Sequence, residues 1–270
     1  MPPSILHGVM AEELVEMKPQ VYKDPRPKEY FDRFHERARK REPDPMYEIV
    51  RTVVTAVAYG FFRMRAIAAE LVPSSGPVIL APNHFSFFDH FFLGAALRRK
   101  VRFMAKSQLF APPMQYVYTH GGVFPVRRGH RDEEAFVTAH TILRRGGAVA
   151  MYCEGGRSRT GQLSEQAKPG IGRLALETGA PIVPVAIYGS AKVRNWKKLQ
   201  FPKVTVLYGE AFRFEQVDEP TREQQQAAAD QIFDEIKALY RELERLGRRA
   251  AVRRWRLERR ARRRTAPAAR

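Results

Sequence analysis

The chain has a single cysteine, Cys153, which excludes an internal disulfide and fits a reducing cytoplasm. Its N-terminus, "MPPSILHGVMAEEL", lacks a basic stretch followed by an apolar core, so no secretory signal is expected. Long hydrophobic runs are missing as well. The best candidate, Met46 to Val72, contains Glu48, Arg51, Arg63 and Arg65, and its longest uncharged run, Thr52 to Phe62, has 11 residues. A bilayer crossing takes about 20, so the segment is not expected to span. No clustered His, Cys or Asp ligands suggest a metal. The P-loop pattern ending in Gly-Lys-Ser/Thr, RNA- or DNA-binding motifs and internal repeats are also absent.

What is there describes an ordered protein. Hydrophobic residues make up 44% and charged residues 28% of 270, enough for one sizeable core plus extensions. The net charge is +18, which points to an anionic partner. Its placement is uneven. Gly247 to Arg270 holds eleven arginines against one glutamate, so this stretch carries +10, and the rest of the chain is only mildly basic. Such a tail can attract anionic lipid, bind nucleic acid non-specifically, or stay a disordered, solvated extension.

Four segments follow from the pattern. Residues 1–45 form a polar, proline-broken extension with a short charged helix around Glu29 to Arg41. Residues 46–71 read as one continuous apolar helix, either an anchor lying in a membrane interface or a buried packing helix. Residues 72–246 form the main domain, entered through the turn-rich "VPSSGP", and residues 247–270 are the basic tail. Within the main domain, strands are expected at Val78 to Ala81, Val101 to Ala105, Val123 to Val126, Ala148 to Cys153, Ile182 to Ile187 and Val204 to Tyr208. Helices are expected at Phe88 to Arg99, Asp132 to Arg145 and Gly170 to Thr178, with another from about Arg222. This alternation implies an α/β fold: a mixed, largely parallel sheet flanked by helices, with an N-terminal helical segment and a basic C-terminal helix or tail. Ligands in such folds sit at strand C-terminal ends.

Three stretches carry chemistry. In "NHFSFFDH", His84 and Asp89 lie five apart, about 140° around a regular helix. They can meet only if His84 sits in the turn before the helix. Asp89 would then orient the imidazole as a base; otherwise the stretch is an N-capping cluster and the histidine incidental. In "YCEGGRSRTG", Glu154, Gly155, Gly156, Arg157 and Ser158 follow an apolar strand. Glycines let the backbone approach an anion and guanidinium groups grip phosphate, although a salt-bridged surface loop would read the same way. "GGVFPVRRG" ends another strand in Arg127 and Arg128, and Lys168 follows in "AKPG". Cations at several equivalent strand ends point to a phosphorylated ligand.

Taken in order, these blocks resemble the glycerolipid acyltransferases of the PlsC-like family over roughly residues 72 to 210. His84 and Asp89 match NHxxxxD, "GGVFPVRR" resembles the second block with Arg128 at its arginine position, "EGGRS" the third, and "APIVPVAI", with Pro184, the fourth. Two positions depart from the family: Cys153 stands where proline is common and Gly156 where threonine is. The third block leans toward glycerol-3-phosphate acyltransferases, the first toward lysophosphatidate acyltransferases, which leaves the acceptor open.

The resemblance implies a glycerol-phosphate acyltransferase fold in which His84 deprotonates an alcohol that attacks an acyl thioester. Arg128 and Arg157 would hold the substrate phosphate, with Asn83, Glu154, Gly155, Gly156, Ser158 and Lys168 completing the substrate site. Glu154 would bind the glycerol or steady an arginine. Phe85, Phe87, Phe88, Phe91 and Phe92 are candidate walls of an acyl channel, each also a candidate core residue. Beyond the donor, acyl-CoA or acyl carrier protein, no cofactor or metal is expected. The favoured acceptor is 1-acylglycerol-3-phosphate, giving phosphatidic acid, with glycerol-3-phosphate or another lysophospholipid as the alternative. The expected setting is the cytoplasmic face of an anionic membrane, peripherally bound, with no specific nucleic acid. A non-catalytic basic protein binding nucleic acid or a membrane surface is the reading from another class. Cys153 as an acyl-carrying nucleophile is a minor reading, because strand-end cysteines are usually inert packing.

Overall fold

The computed structural model describes residues 14–17, 23–129 and 132–265, with side chains through residue 262. The "MPPSILHGVMAEEL" stretch, up to residue 13, and the last five residues of the tail lie outside the described residues.

Seven strands form one sheet in the order β1-β7-β6-β2-β5-β3-β4. They are β1 (Arg65–Ile67), β2 (Val78–Pro82), β3 (Val101–Lys106), β4 (Val123–Val126), β5 (Ala148–Ala150), β6 (Ile182–Tyr188) and β7 (Thr205–Tyr208). Every neighbouring pair is parallel except the antiparallel β6 and β7. The helices are α1 (Glu29–Lys40), α2 (Pro45–Gly60), α3 (Asp89–Ala95), α4 (Met114–His120), α5 (Glu133–Arg144), α6 (Gly170–Thr178) and α7 (Arg222–Thr265). The mixed, largely parallel sheet flanked by helices is the architecture that the alternating pattern implies.

Alternate side chains of the central strands feed two cores, as the pleat requires. Val78 and Leu80 join Phe62, Phe92 and Val185 on one face, while Ile79 and Ala81 join Leu174, Ile232 and Phe233 on the other. With both faces covered, β2 is buried at every position, which explains why it reads as a continuous apolar run. On the second face α6 and α7 approach very closely. A Cβ at Gly172 would fall 1.9 Å from the Gln225 carbonyl oxygen, so only glycine fits there.

Helix α2 begins where Asp44 caps the Met46 N–H at 3.1 Å and Pro45 occupies the first turn. The continuous helix expected over 46–71 ends early, at Gly60. Arg63 (φ 43°) and Ala68 (φ 62°) turn the chain through left-handed conformations, and Arg65–Ile67 pairs with Thr205–Leu207 as β1. The apolar pattern persists because Phe62, Met64 and Ile67 are buried in the sheet core, not because the helix continues.

The tail also differs from a solvated extension. Helix α7 is interrupted at Gly247 (φ 69°, ψ 162°), and the segment beyond it packs on the body of the protein. Ala251 is buried in the first core, Val252 and Trp255 pack against it, and Arg259 pairs with Glu70 at 2.8 Å. Arg262 pairs with Glu210.

Candidate active site

The chain leaves β2 through Asn83–Phe88, leaves β4 through Arg127–Gly129, and leaves β5 through a long loop reaching α6. All three loops emerge at C-terminal strand ends, so the parallel sheet gathers distant sequence into one place.

His84 sits in the turn and Asp89 opens α3, so the angular mismatch on a regular helix never arises. Asp89 Oδ2 accepts from His84 Nδ1 at 2.9 Å, from the Phe85 N–H at 2.6 Å and from the Ser86 N–H at 2.7 Å. A carboxylate acceptor places the imidazole proton on Nδ1 and leaves Nε2 with its lone pair. Asp89 thus closes the turn and orients the histidine. Its other oxygen, Oδ1, is buried without a hydrogen-bond partner. Burial pushes the His84 pKa below its ordinary value; the Asp89 hydrogen bond opposes this, and the charges of Arg157 and Arg128 add to it. The imidazole is therefore neutral near pH 7, as a base must be.

The loop after β5 grips His84 by its main chain. Glu154 Oε1 accepts from the His84 N–H at 2.8 Å, and the Ser158 N–H donates to the His84 carbonyl at 2.8 Å. Glu154 Oε2 accepts from the Ser164 hydroxyl at 2.9 Å. Glu154 thus anchors the histidine loop while also lining the cavity around Arg128 and Arg157, and burial raises its pKa to about 7. The left-handed Gly155 (φ 65°) lies against Lys168, whose Cγ would be 2.9 Å from any added Cβ. The Ser158 hydroxyl closes its own turn by accepting from the Gly161 N–H at 3.2 Å.

Two cavities adjoin at Arg128 and Arg157, and His84 lines the first. A cavity of about 170 Å³ is lined by His84, Tyr152, Arg128, Arg157, Lys106 and His90, among others. A broader cavity of about 530 Å³ continues from Arg128 and Arg157 over Gly155, Gly156, Ser158 and Lys168. Cations surround both. The expected pair of arginines separates: Arg128 lines both cavities, whereas Arg127 turns away, donating to the Arg26 carbonyl at 3.3 Å. In the other direction a smaller apolar groove of about 80 Å³ runs between α2, α3 and α4 past Val50, Val54, Phe91, Gly94 and Ala95. It shares His90, Phe103, Tyr118 and Val123 with the His84 cavity.

One expectation needs correction, and two open readings resolve. Asn83 is a structural residue: fully buried, it exchanges two hydrogen bonds with the Ile187 main chain, at 2.7 and 3.2 Å, and ties β2 to β6. Of the five candidate phenylalanines, Phe85 and Phe92 are core, Phe88 packs against the core, and Phe87 and Phe91 line a cavity. Cys153 is fully buried, and burial pushes its thiol pKa up, so it supplies no thiolate nucleophile.

Sequence reasoning missed four residues. Tyr152 stacks on the His84 ring with centroids 3.8 Å apart and planes 18° apart. His90 lines two of the spaces. Lys106 ends β3 and could have been found by the strand-end argument applied to "VRFMAK". Arg194 carries no sequence signal because its partners are main-chain carbonyls, among them Phe85 O at 2.8 and 3.0 Å.

A neutral, aspartate-oriented histidine between a cationic pocket and an apolar groove has the parts of a general-base site for an amphiphilic anion. Residues 63–188 match the model of the acyltransferase family, and over this stretch the chain resembles the PlsC-like acyltransferases. It is 29% identical over 139 residues to a chloroplastic 1-acyl-sn-glycerol-3-phosphate acyltransferase of Brassica napus, covering 50% of this chain and 40% of that protein. The human 1-acyl-sn-glycerol-3-phosphate acyltransferase beta is 31% identical over 134 residues, covering 48% of each. The aligned stretch is thus less than half the length of either relative. Among solved structures, PlsC, the 1-acyl-sn-glycerophosphate acyltransferase of Thermotoga maritima, superposes with a TM-score of 0.58 at 19% identity. That match covers 80% of this chain and 89% of the other, and it shows a shared fold.

Proposed function

We propose that the chain transfers a fatty acyl group from a thioester, carried on CoA or acyl carrier protein, to the free hydroxyl of 1-acyl-sn-glycerol-3-phosphate, giving phosphatidic acid. The observation that carries this reading is the bond from His84 Nδ1 to Asp89, which leaves Nε2 as a base in a cavity flanked by Arg128 and Arg157.

The phosphate of the acceptor lies against Arg128 and Arg157, with Lys168, Ser158 and the main chain at Gly155 and Gly156 completing the pocket. This fixes the hydroxyl beside His84. Nε2 takes the hydroxyl proton as the oxygen attacks the thioester carbon. Asp89 stabilises the imidazolium that forms. As the tetrahedral intermediate collapses, the carbon–sulfur bond breaks and the imidazolium proton passes to the leaving sulfur, giving a free thiol. The apolar groove beyond His90 takes an acyl chain, which favours an acceptor or donor with a hydrocarbon tail over a small polar one. No step calls for a metal, and among the described residues no group of three or more His, Cys, Asp or Glu is placed to hold one.

We propose that the enzyme works peripherally at the cytoplasmic face of a membrane, where it would meet its lipid substrates. Ile49, Val53, Tyr59 and Phe61 on and just after α2 are exposed, and this apolar face supports contact with the interface. Among the described residues no helix is long and apolar enough to cross a bilayer.

The test is thiol release from oleoyl-CoA with lysophosphatidate, glycerol-3-phosphate and a lysophospholipid offered separately. Release with lysophosphatidate alone is expected. Release with glycerol-3-phosphate instead would make the glycine-rich third block the better guide to the acceptor.

A further inference from the structure

Between β6 and β7 the chain makes tight turns over Ser190–Lys198, bounded by left-handed residues at Gly189 (φ 85°) and Leu199 (φ 58°). Leucine rarely adopts that conformation, and here it is also 80% exposed, with Trp196 42% exposed beside it. The Leu199 N–H caps the turn by donating to the Trp196 carbonyl at 2.9 Å, while its side chain is left out of the core. The two do not stand alone. Trp196 packs edge-on to Phe88 (6.1 Å), Phe88 meets Phe62 (5.8 Å), Phe62 meets Phe201 (5.6 Å), and Phe201 meets the exposed Phe61 (5.3 Å). An aromatic band thus runs from the tip of this turn to the end of α2.

The charge around it has one sign. From Gly189 to Tyr208 the sequence holds Lys192, Arg194, Lys197, Lys198 and Lys203 and no acidic residue. Lys197 Nζ lies 5.9 Å from the Trp196 ring. Exposed leucine and tryptophan tips ringed by lysines suit the boundary between acyl chains and anionic headgroups, where apolar tips bury and long cationic side chains reach the phosphates. We propose that residues 190–199 are a wedge that docks on an anionic lipid bilayer, with Trp196 and Leu199 entering the interface and Lys197 and Lys198 facing the headgroups.

The wedge is wired to the active site. The Arg194 guanidinium donates to Phe85 O, to Arg159 O at 2.8 Å and to Ser158 O, and so holds together the loop carrying His84 and the loop carrying Arg157. Docking therefore braces both loops from behind. This coupling rests on the acyltransferase reading; the docking does not.

The experiment is co-sedimentation of the full chain with phosphatidylcholine vesicles, with and without phosphatidylglycerol. It compares wild type, Leu199→Glu, the double variant Lys197→Glu/Lys198→Glu and, as a catalytically dead control, His84→Ala. Circular dichroism confirms the fold of each. Leu199→Glu is expected to weaken partitioning roughly tenfold or more, and the lysine double variant at least roughly 25-fold on the anionic vesicles alone. His84→Ala is expected to sediment like wild type. Unchanged partitioning of both wedge variants, or equal wild-type binding to neutral and anionic vesicles, overturns the wedge. For the coupling, Leu199→Glu should retain wild-type turnover of a water-soluble short-chain thioester and acceptor while losing turnover of acceptor embedded in vesicles. Equal rates on both would overturn it. Wild type that sediments but turns over neither would leave the wedge standing and defeat the acyltransferase reading.

Discussion

Glu154 reaches across 70 residues of sequence to accept the main-chain N–H of His84 at 2.8 Å. Because its carboxyl is buried, its pKa sits at about 7 instead of the usual carboxylate range. A carboxyl with a raised folded-state pKa binds its proton more tightly in the folded protein, so stability declines as pH rises from about 4.5 to about 7. Glu154→Gln keeps an oxygen for the His84 N–H and removes the titration. Urea denaturation at pH 5 and pH 7.5 should show a smaller stability difference in the variant, by at most ~3 kcal/mol. An identical pH dependence in both proteins would mean the carboxyl titrates normally.

Asp89→Asn places an amide where three donors converge on one oxygen. The imidazole loses the anion that fixes its tautomer and stabilises its charged form. A fall in kcat of about 10²–10⁴ is expected, with the acceptor KM much less affected. In the wild type the depressed His84 pKa puts the acid limb of the kcat/KM profile below the ordinary histidine value of about 6.5. Steady-state rates from pH 5 to 8 read both effects.

The arginine pair offers a sharper contrast. Arg157→Ala and Arg128→Ala each remove a charged hydrogen-bond donor worth ~1.5–3 kcal/mol, so the KM for a phosphorylated acceptor should rise roughly 10- to 150-fold. Arg127→Ala, one residue away, should leave it unchanged, because that side chain faces Arg26 and Phe31. Equal effects at 127 and 128 would move the phosphate elsewhere.

Ala95 lies on the wall of the apolar groove and is only partly buried. Ala95→Phe fills that space. With mixed 12- and 18-carbon thioesters or acceptors, product should shift toward the shorter chain, read by mass spectrometry with circular dichroism as the fold control. An unshifted product ratio would remove the groove from the chain's path.

The strands and the site were legible in the sequence for different reasons. β2 and β6 are buried on both faces, so their apolar runs stand out, and His84, Asp89, Arg128 and Arg157 lie in motifs whose spacing survives any loop geometry. β1 was not legible. Met64 and Ile67 extend the apolar pattern of α2, and the left-handed turns at Arg63 and Ala68 leave no sequence mark in an arginine and an alanine. Asn83 reads as a polar site residue because its partner, Ile187, is 104 residues away and contributes only main chain. Arg194 was hidden for the same reason. In the tail, the arginines masked the small apolar face of Ala251, Val252 and Trp255 that docks it.

The most direct test is a time course of free-thiol release from oleoyl-CoA with lysophosphatidate in detergent micelles, comparing wild type with His84→Ala. The account expects acceptor-dependent release in the wild type, formation of phosphatidic acid in equal amount, and loss of both in a variant whose circular dichroism and melting curve are retained. Acceptor-dependent release that persists in folded His84→Ala would contradict it.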